Sequence, residues 1–157
     1  MIVDFHMHSQ CSDGQLTPQN IVDLAVARGC EQIAITDHDT VAAYAELDSS
    51  TQSIRLINGC EFSSQWQGRE IHIVGLNLDL QTTELLDGLA RQQQMRSRRA
   101  ERIAAQLARL GYKDSFAGAL QLANAWQIPC CIGVRAGNGV PHIPNLGAGY
   151  HSVTFYW

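Results

Sequence analysis

The apolar run Ile2-Val3-Asp4-Phe5 closes on His6-Met7-His8, and Asp13, Thr36-Asp37-His38-Asp39, Glu61 and His72 follow, most of them beside another strand-like run. A chain with donors placed this way has to bring several strand ends to one spot. Alternate residues of a strand point the same way, so His6 and His8 can both face one ion while Met7 packs behind them. A single His-x-His is more often an ordinary histidine pair than a metal site. The second cluster shifts the balance. Gln32-Ile33-Ala34-Ile35 reads as a short buried strand, and Thr36-Asp37-His38-Asp39 sits where it must stop. Three potential ligands in one strand-exit loop repel one another unless a cation neutralises them. The pattern recurs where Ile54-Arg55-Leu56-Ile57 runs into Asn58-Gly59-Cys60-Glu61, and where Glu70-Ile71-His72-Ile73-Val74 sets a histidine among β-branched residues. The candidate metal ligands are therefore His6, His8, Asp13, His38, Glu61 and His72, spread over four strand ends.

The spacing predicts an α/β architecture up to about residue 124, with parallel strands joined by helical crossovers. Thr17 is a plausible N-cap with Pro18 at the first helical position, Ile21, Leu24 and Ala25 form an apolar stripe, and Gly29 ends the helix. A second helix is expected over Val41 to Leu47 and a further strand over Ile54 to Ile57. Residues 82 to 113 read as long helix. Seven of the eleven Lys and Arg lie between Arg91 and Lys113, which fits either steering of a polyanion or, as we favour at this level, a solvated face opposite the apolar stripe Ile103, Leu107 and Leu110.

The runs Asp4-Phe5-His6-Met7-His8-Ser9, Ser12-Asp13-Gly14, Ile35-Thr36-Asp37-His38-Asp39-Thr40, Gly59-Cys60-Glu61 and Ile71-His72-Ile73-Val74-Gly75 together resemble the PHP (polymerase and histidinol phosphatase) metallophosphoesterases. Within that family the chain looks most like the stand-alone branch that removes the 3′-phosphate of nucleoside 3′,5′-bisphosphates and trims short RNA from its 5′ end. The resemblance implies the N-terminal part of a distorted (β/α)7 barrel over residues 1–81, with a helical insertion from about 82 to 124. It implies two or three divalent ions, manganese with zinc, iron or magnesium as alternatives, and in-line attack on phosphorus by metal-activated hydroxide. His6 and His8 would hold one ion, Asp13 and His38 a second, Glu61 and His72 a third, with Glu61 bridging two. Asp37 would orient a ligand from behind. Nucleoside bisphosphates or short RNA would be the substrates, with no obligate protein partner.

The chemistry class has competitors. An amidohydrolase barrel also opens with His-x-His but often needs a mid-barrel lysine, and the only lysine, Lys113, ends a predicted helix. A histidinol-phosphate phosphatase, a polymerase-associated domain and an inactive metal-binding fragment are the remaining alternatives.

Composition sets outer bounds. Hydrophobic content of 45% against 17% charged residues is that of a globular protein. No run approaches a membrane span, no signal-peptide pattern opens the chain, and five cysteines without a Cys-x-x-Cys pair suggest reduced thiols and a cytoplasmic setting. Beyond Asn124 the character changes. From Ser115 onward Arg135 is the one charged residue, five glycines follow residue 124, and no helix or strand period is convincing. Cys130, Cys131, His142 and His151 match no common zinc spacing. The family's later motifs, an Ala-His-Pro-Gly-like histidine and a terminal Asp-x-His, are not found here. The expectation is therefore an atypical tail over 125–157, translated out of frame, and weak metal binding with little turnover for the chain as written.

Overall fold

The computed structural model describes residues 1–48, 54–122 and 152–154, giving the backbone alone for 119–122 and 152–154. Cys130, Cys131, His142, His151 and most of the stretch expected to be out of frame lie outside the described residues.

Strand β1 (Val3–Met7) is followed by helix α1 (Pro18–Ala27) and strand β2 (Gln32–Ile35), which lies parallel to β1. Both ends of α1 are built as their residues dictate. The Thr17 hydroxyl accepts the Asn20 N–H at 3.1 Å, and Pro18 occupies the first turn, where no hydrogen bond is lost. At the other end Gly29 adopts φ +74°, so that Cys30 N–H reaches the Ala25 carbonyl (3.0 Å) and Gly29 N–H that of Val26 (2.9 Å). Ile21, Val22 and Ala25 are the buried face of the helix, packing with Cys11, Ile33, Ile35 and Ile54. Met7 packs against this core from the strand side, as the alternation along β1 requires.

The segment expected to be helical over Val41 to Leu47 forms only a short 3-10 turn, Ala42–Ala45, entered through Asp39 at φ +52° with the Thr40 hydroxyl accepting the Ala42 N–H. Strand β3 (Arg55–Leu56) then adds parallel to β2. Where β3 ends, the chain continues as β4 (Gly59–Trp66), and β4 takes over the flank of the β2 extension: Glu61 N–H donates to the Asp37 carbonyl (3.1 Å) and Asp39 N–H to that of Glu61 (2.9 Å). The expected pattern of crossovers breaks here. Strand β5 (Arg69–Leu76) is antiparallel to β4, because Gln67 (φ +49°) and Gly68 (φ +78°) make a two-residue turn of the kind that closes hairpins and leave no room for a helix. The tail, expected to lack periodic structure, supplies a third strand, β6 (Ser152–Thr154), parallel to β5.

Helix α2 (Thr83–Arg109) leads into α3 (Ser115–Leu122). The chain divides into two compact units, residues 1–89 with 149–157 and residues 90–148. In the second unit Ala100 and Leu107 are buried with Ile103, Tyr112 and Phe116 around them. Among the described residues no helix is long and apolar enough to cross a membrane.

One side chain closes the gap between β3 and β4. The ladder to β2 would demand a bond from Gly59 N–H to Ile35 C=O, and Tyr44 Oη stands between them. It accepts Gly59 N–H at 2.6 Å and lies 2.6 Å from the Ile35 carbonyl and 3.0 Å from that of Ile57. Replacing Tyr44 by Phe strips a donor and an acceptor from three buried backbone groups, and we expect a loss of about 1–3 kcal/mol of stability. Urea unfolding of Tyr44→Phe checks this, and an unchanged midpoint would contradict the role.

Candidate metal centre

Glu61 is the hub. It is the third residue of β4, its pairing partner is Val74, and in an antiparallel hairpin that puts it on the same face as His72, two residues from Val74. Its side chain is only 4% exposed. Around it stand His6 from β1, His8 just past the end of β1, His38 from the loop after β2, and His72 from β5. His6 Nε2 lies 2.9 Å and His8 Nε2 2.8 Å from Glu61 Oε2, and His72 Nδ1 lies 3.1 Å from Oε1. His38 Nδ1 is 3.7 Å from Oε2, within ion-pair range but too long for a hydrogen bond. Asp13 joins from the outer side, with Oδ1 2.7 Å from His8 Nδ1 and Oδ2 3.6 Å from His38 Nε2. All six sequence-predicted ligands are thus brought together, although Glu61 and His72 sit within a hairpin rather than at the ends of parallel strands.

His6 Nε2 and His72 Nδ1 hydrogen-bond Glu61, and His8 presents Nδ1 to Asp13 and Nε2 to Glu61. An ionised carboxylate only accepts, so a carboxylate at each ring nitrogen favours the His8 cation. Its pKa follows: burial works against the charge, but the bonds to Asp13 and Glu61 outweigh it and raise the group from 6.5 to about 9. Burial of Glu61 is likewise overcome by hydrogen bonds from His8 and His6 and by the charge of His38, which bring it from 4.5 to about 2. Asp13 is held at about 2 chiefly by the bond from His8.

Asp37 faces away from this cluster. One carboxylate oxygen accepts the Ser9 N–H (2.7 Å) and the Ser12 hydroxyl (2.6 Å), the other the Ser9 hydroxyl (2.6 Å). These bonds clamp the loop that carries Asp13 and follows His8. Gly14 completes the same loop. Its N–H donates to the Ser9 carbonyl at 2.9 Å, and a Cβ there would overlap the His8 carbonyl. Sequence reasoning assigned no role to Ser9, Ser12, Gly14 or Tyr44. The serines had one signal, two hydroxyls within the loop between His8 and Asp13, while Tyr44 had none. Asp39, fully buried, accepts the Ser63 N–H at 2.7 Å and braces β4 from below Glu61.

The donor set suits divalent cations. Three groups, His6/His8/Glu61, His8/Asp13/His38 and His38/Glu61/His72, each present ligand atoms within 4.8 Å of one another. Donors around one ion with bonds of roughly 2.1 Å stand about 3 to 4 Å apart, so modest adjustment suffices. Imidazole with carboxylate favours zinc, iron or manganese over calcium.

Comparison with known proteins agrees with the geometry. Residues 4–134 match the PHP domain, and the chain belongs to that family. It is 42% identical over 128 residues to a protein named 5′-3′ exoribonuclease Rnm from Salmonella typhimurium, covering 79% of this chain and 44% of the relative. It is 37% identical over 121 residues to a 3′,5′-nucleoside bisphosphate phosphatase from Chromobacterium violaceum, covering 76% and 42%. A solved structure described as an amidohydrolase from Chromobacterium violaceum, with bound sulfate and no metal, superposes with TM-score 0.76 at 34% identity over 88% of this chain and 51% of that one. The chain spans less than half the length of the curated relatives it matches.

The cluster makes metal-free stability depend on pH in a defined sense. Glu61 and Asp13 have depressed pKa values, so their contribution is complete above about 4.5 and is lost as pH falls towards 2. His8 is raised, so its contribution is complete below 6.5 and is lost as pH rises through 9. In chelator, thermal midpoints should therefore be highest between about pH 4.5 and 6.5 and fall on both sides. A profile flat from pH 5 to pH 9.5 would exclude the cationic His8. Gly14→Ala should lower metal affinity, since the clamp that presents Asp13 cannot form; calorimetric titration with Mn²⁺ reads this, and wild-type affinity would contradict it.

Proposed function

We propose that the chain carries the first half of a metal-dependent phosphoesterase site that acts on nucleotide phosphate esters, either the 3′-phosphate of a nucleoside 3′,5′-bisphosphate or the 5′ end of short RNA. The observation that supports this most is the convergence of four imidazoles and Asp13 on buried Glu61. The names of the relatives favour nucleotide substrates over histidinol phosphate, and the absence of a strand lysine among the described residues weighs against amidohydrolase chemistry.

His6, His8, Asp13, His38, Glu61 and His72 would hold two or three divalent ions, manganese being the reading we favour. When bound, such ions supply Lewis acidity and lower the pKa of water towards about 7. The chain's own residues supply the rest. Glu61 lies between the His6/His8 pair and His72, the position from which one carboxylate can serve two ions. His8 must give up a proton at neutral pH to become a ligand, so loading releases protons and strengthens as pH rises. Asp37, through Ser9 and Ser12, keeps His8 and Asp13 in register while that exchange takes place. The three donor groups share His8, His38 and Glu61, so six residues cannot fill three coordination shells. Water, substrate oxygens or further protein groups would have to complete them.

Phosphate release from adenosine 3′,5′-bisphosphate should depend on Mn²⁺, vanish in chelator, and exceed release from histidinol phosphate. Glu61→Gln should lower kcat by about 10- to 100-fold, on the scale of disrupting a metal-supporting network. Equal rates with both substrates, or wild-type kcat in Glu61→Gln, would remove this reading. Little turnover by the 157-residue chain combined with measurable Mn²⁺ binding would instead identify it as a metal-binding fragment.

A further inference from the structure

Four of the six arginines of α2 share one line, while Arg96 and Arg99 lie about 140° and 80° off it. Arg91, Arg98, Arg102 and Arg109 are separated by seven, four and seven residues. At 3.6 residues per turn they fall within about 20° of one line along the helix, over a length of ~27 Å. All four are exposed. The opposite side holds buried Ala100, Ala104 and Leu107 with Ile103, so the seam that fixes the helix in its unit is also what turns the arginine line outward. Among the described residues none of the four is in a salt bridge, and Glu101 lies about 80° off the line. Towards the N-terminus the line turns acidic at Glu84, with Asp87 about 40° to one side, which gives the stripe a defined start at Arg91.

We infer that this stripe is a docking surface for the phosphodiester backbone of single-stranded RNA, distinct from the metal-ligand cluster. The choice of RNA rests on the nucleotide reading above; the surface itself does not. A mononucleotide, with both phosphates on one ribose, cannot engage guanidiniums spread over ~27 Å, whereas a strand can. Among the described residues α2 itself carries no aromatic side chain beside the arginines, so the contact it offers is to phosphate and independent of base sequence. A membrane is the poorer fit, because an interfacial helix inserts its apolar face and this one is packed within its own unit.

The test uses the full chain in chelator, so neither metal nor turnover enters and failure of the phosphoesterase reading would be seen in a different assay. A labelled oligoribonucleotide longer than the stripe is titrated by fluorescence anisotropy across a salt series. R91Q/R98Q/R102Q retains helix-forming residues, and its helical circular dichroism reports folding. R28Q/R55Q/R69Q, three exposed arginines elsewhere, makes the same change in net charge. The expected result is a slope of log affinity against log salt smaller by about 2 in the stripe variant, about 0.7 for each arginine removed, and little change in the control. Equal losses in the two variants, or an unchanged slope in the stripe variant, would overturn the proposal. So would an acidic peptide of matched charge that binds as tightly as RNA and loses affinity in parallel, since the surface would then be one for acidic proteins.

Discussion

A buried glutamate ringed by imidazoles is the constraint around which the first unit is arranged. Burying an unpaired carboxylate is costly enough that the group would normally neutralise itself. Glu61 stays charged because β1, the β2 exit and β5 each bring a histidine to it. The strands must therefore meet in one register, since a slip of one residue in β4 would turn Glu61 to the other face of the hairpin. Fold and site are here the same set of interactions.

What keeps that register lies one layer further out. Tyr44 fills a break in the ladder with its hydroxyl, Asp39 takes the Ser63 N–H, and Asp37 holds two serines and a backbone amide. Each satisfies backbone or loop groups that the irregular path around Glu61 leaves without a regular partner. The irregularity is needed: β1 has a register shift between Asp4 and Met7, and the chain leaves β3 before β4 begins. Strands that remained regular would pair with one another throughout and would not open a rim on which six donors converge.

The legible part of this arrangement was the part written in local patterns. Thr17-Pro18 and Gly29 mark α1 because capping depends on neighbours in sequence, and Gln32 to Ile35 is marked by its apolar run. The six donors were visible because histidine and acid beside strand-like runs is an uncommon pattern. The β4–β5 hairpin was missed although Gln67-Gly68 spelled a two-residue turn, because the expectation of crossovers carried over from β1-α1-β2. Val41 to Leu47 looked helical by composition, yet the chain there is fixed by tertiary bonds, above all those of the Tyr44 hydroxyl, which no local pattern encodes. The alignment of Arg91, Arg98, Arg102 and Arg109 was available from numbering alone. Only the burial of the opposite face showed that the line points outward.

The cationic His8 does, weakly, what a metal ion would do strongly: it offsets the negative charge of Glu61 and Asp13. An ion entering such a site meets side chains already in place, so its reorganisation cost is small, and its main competitor is the proton on His8. Both that proton and the ion answer to the same two carboxylates. Weakening either carboxylate should release the proton and the metal together, which ties the affinity of the site to the network that clamps its loop as closely as to the ligands themselves.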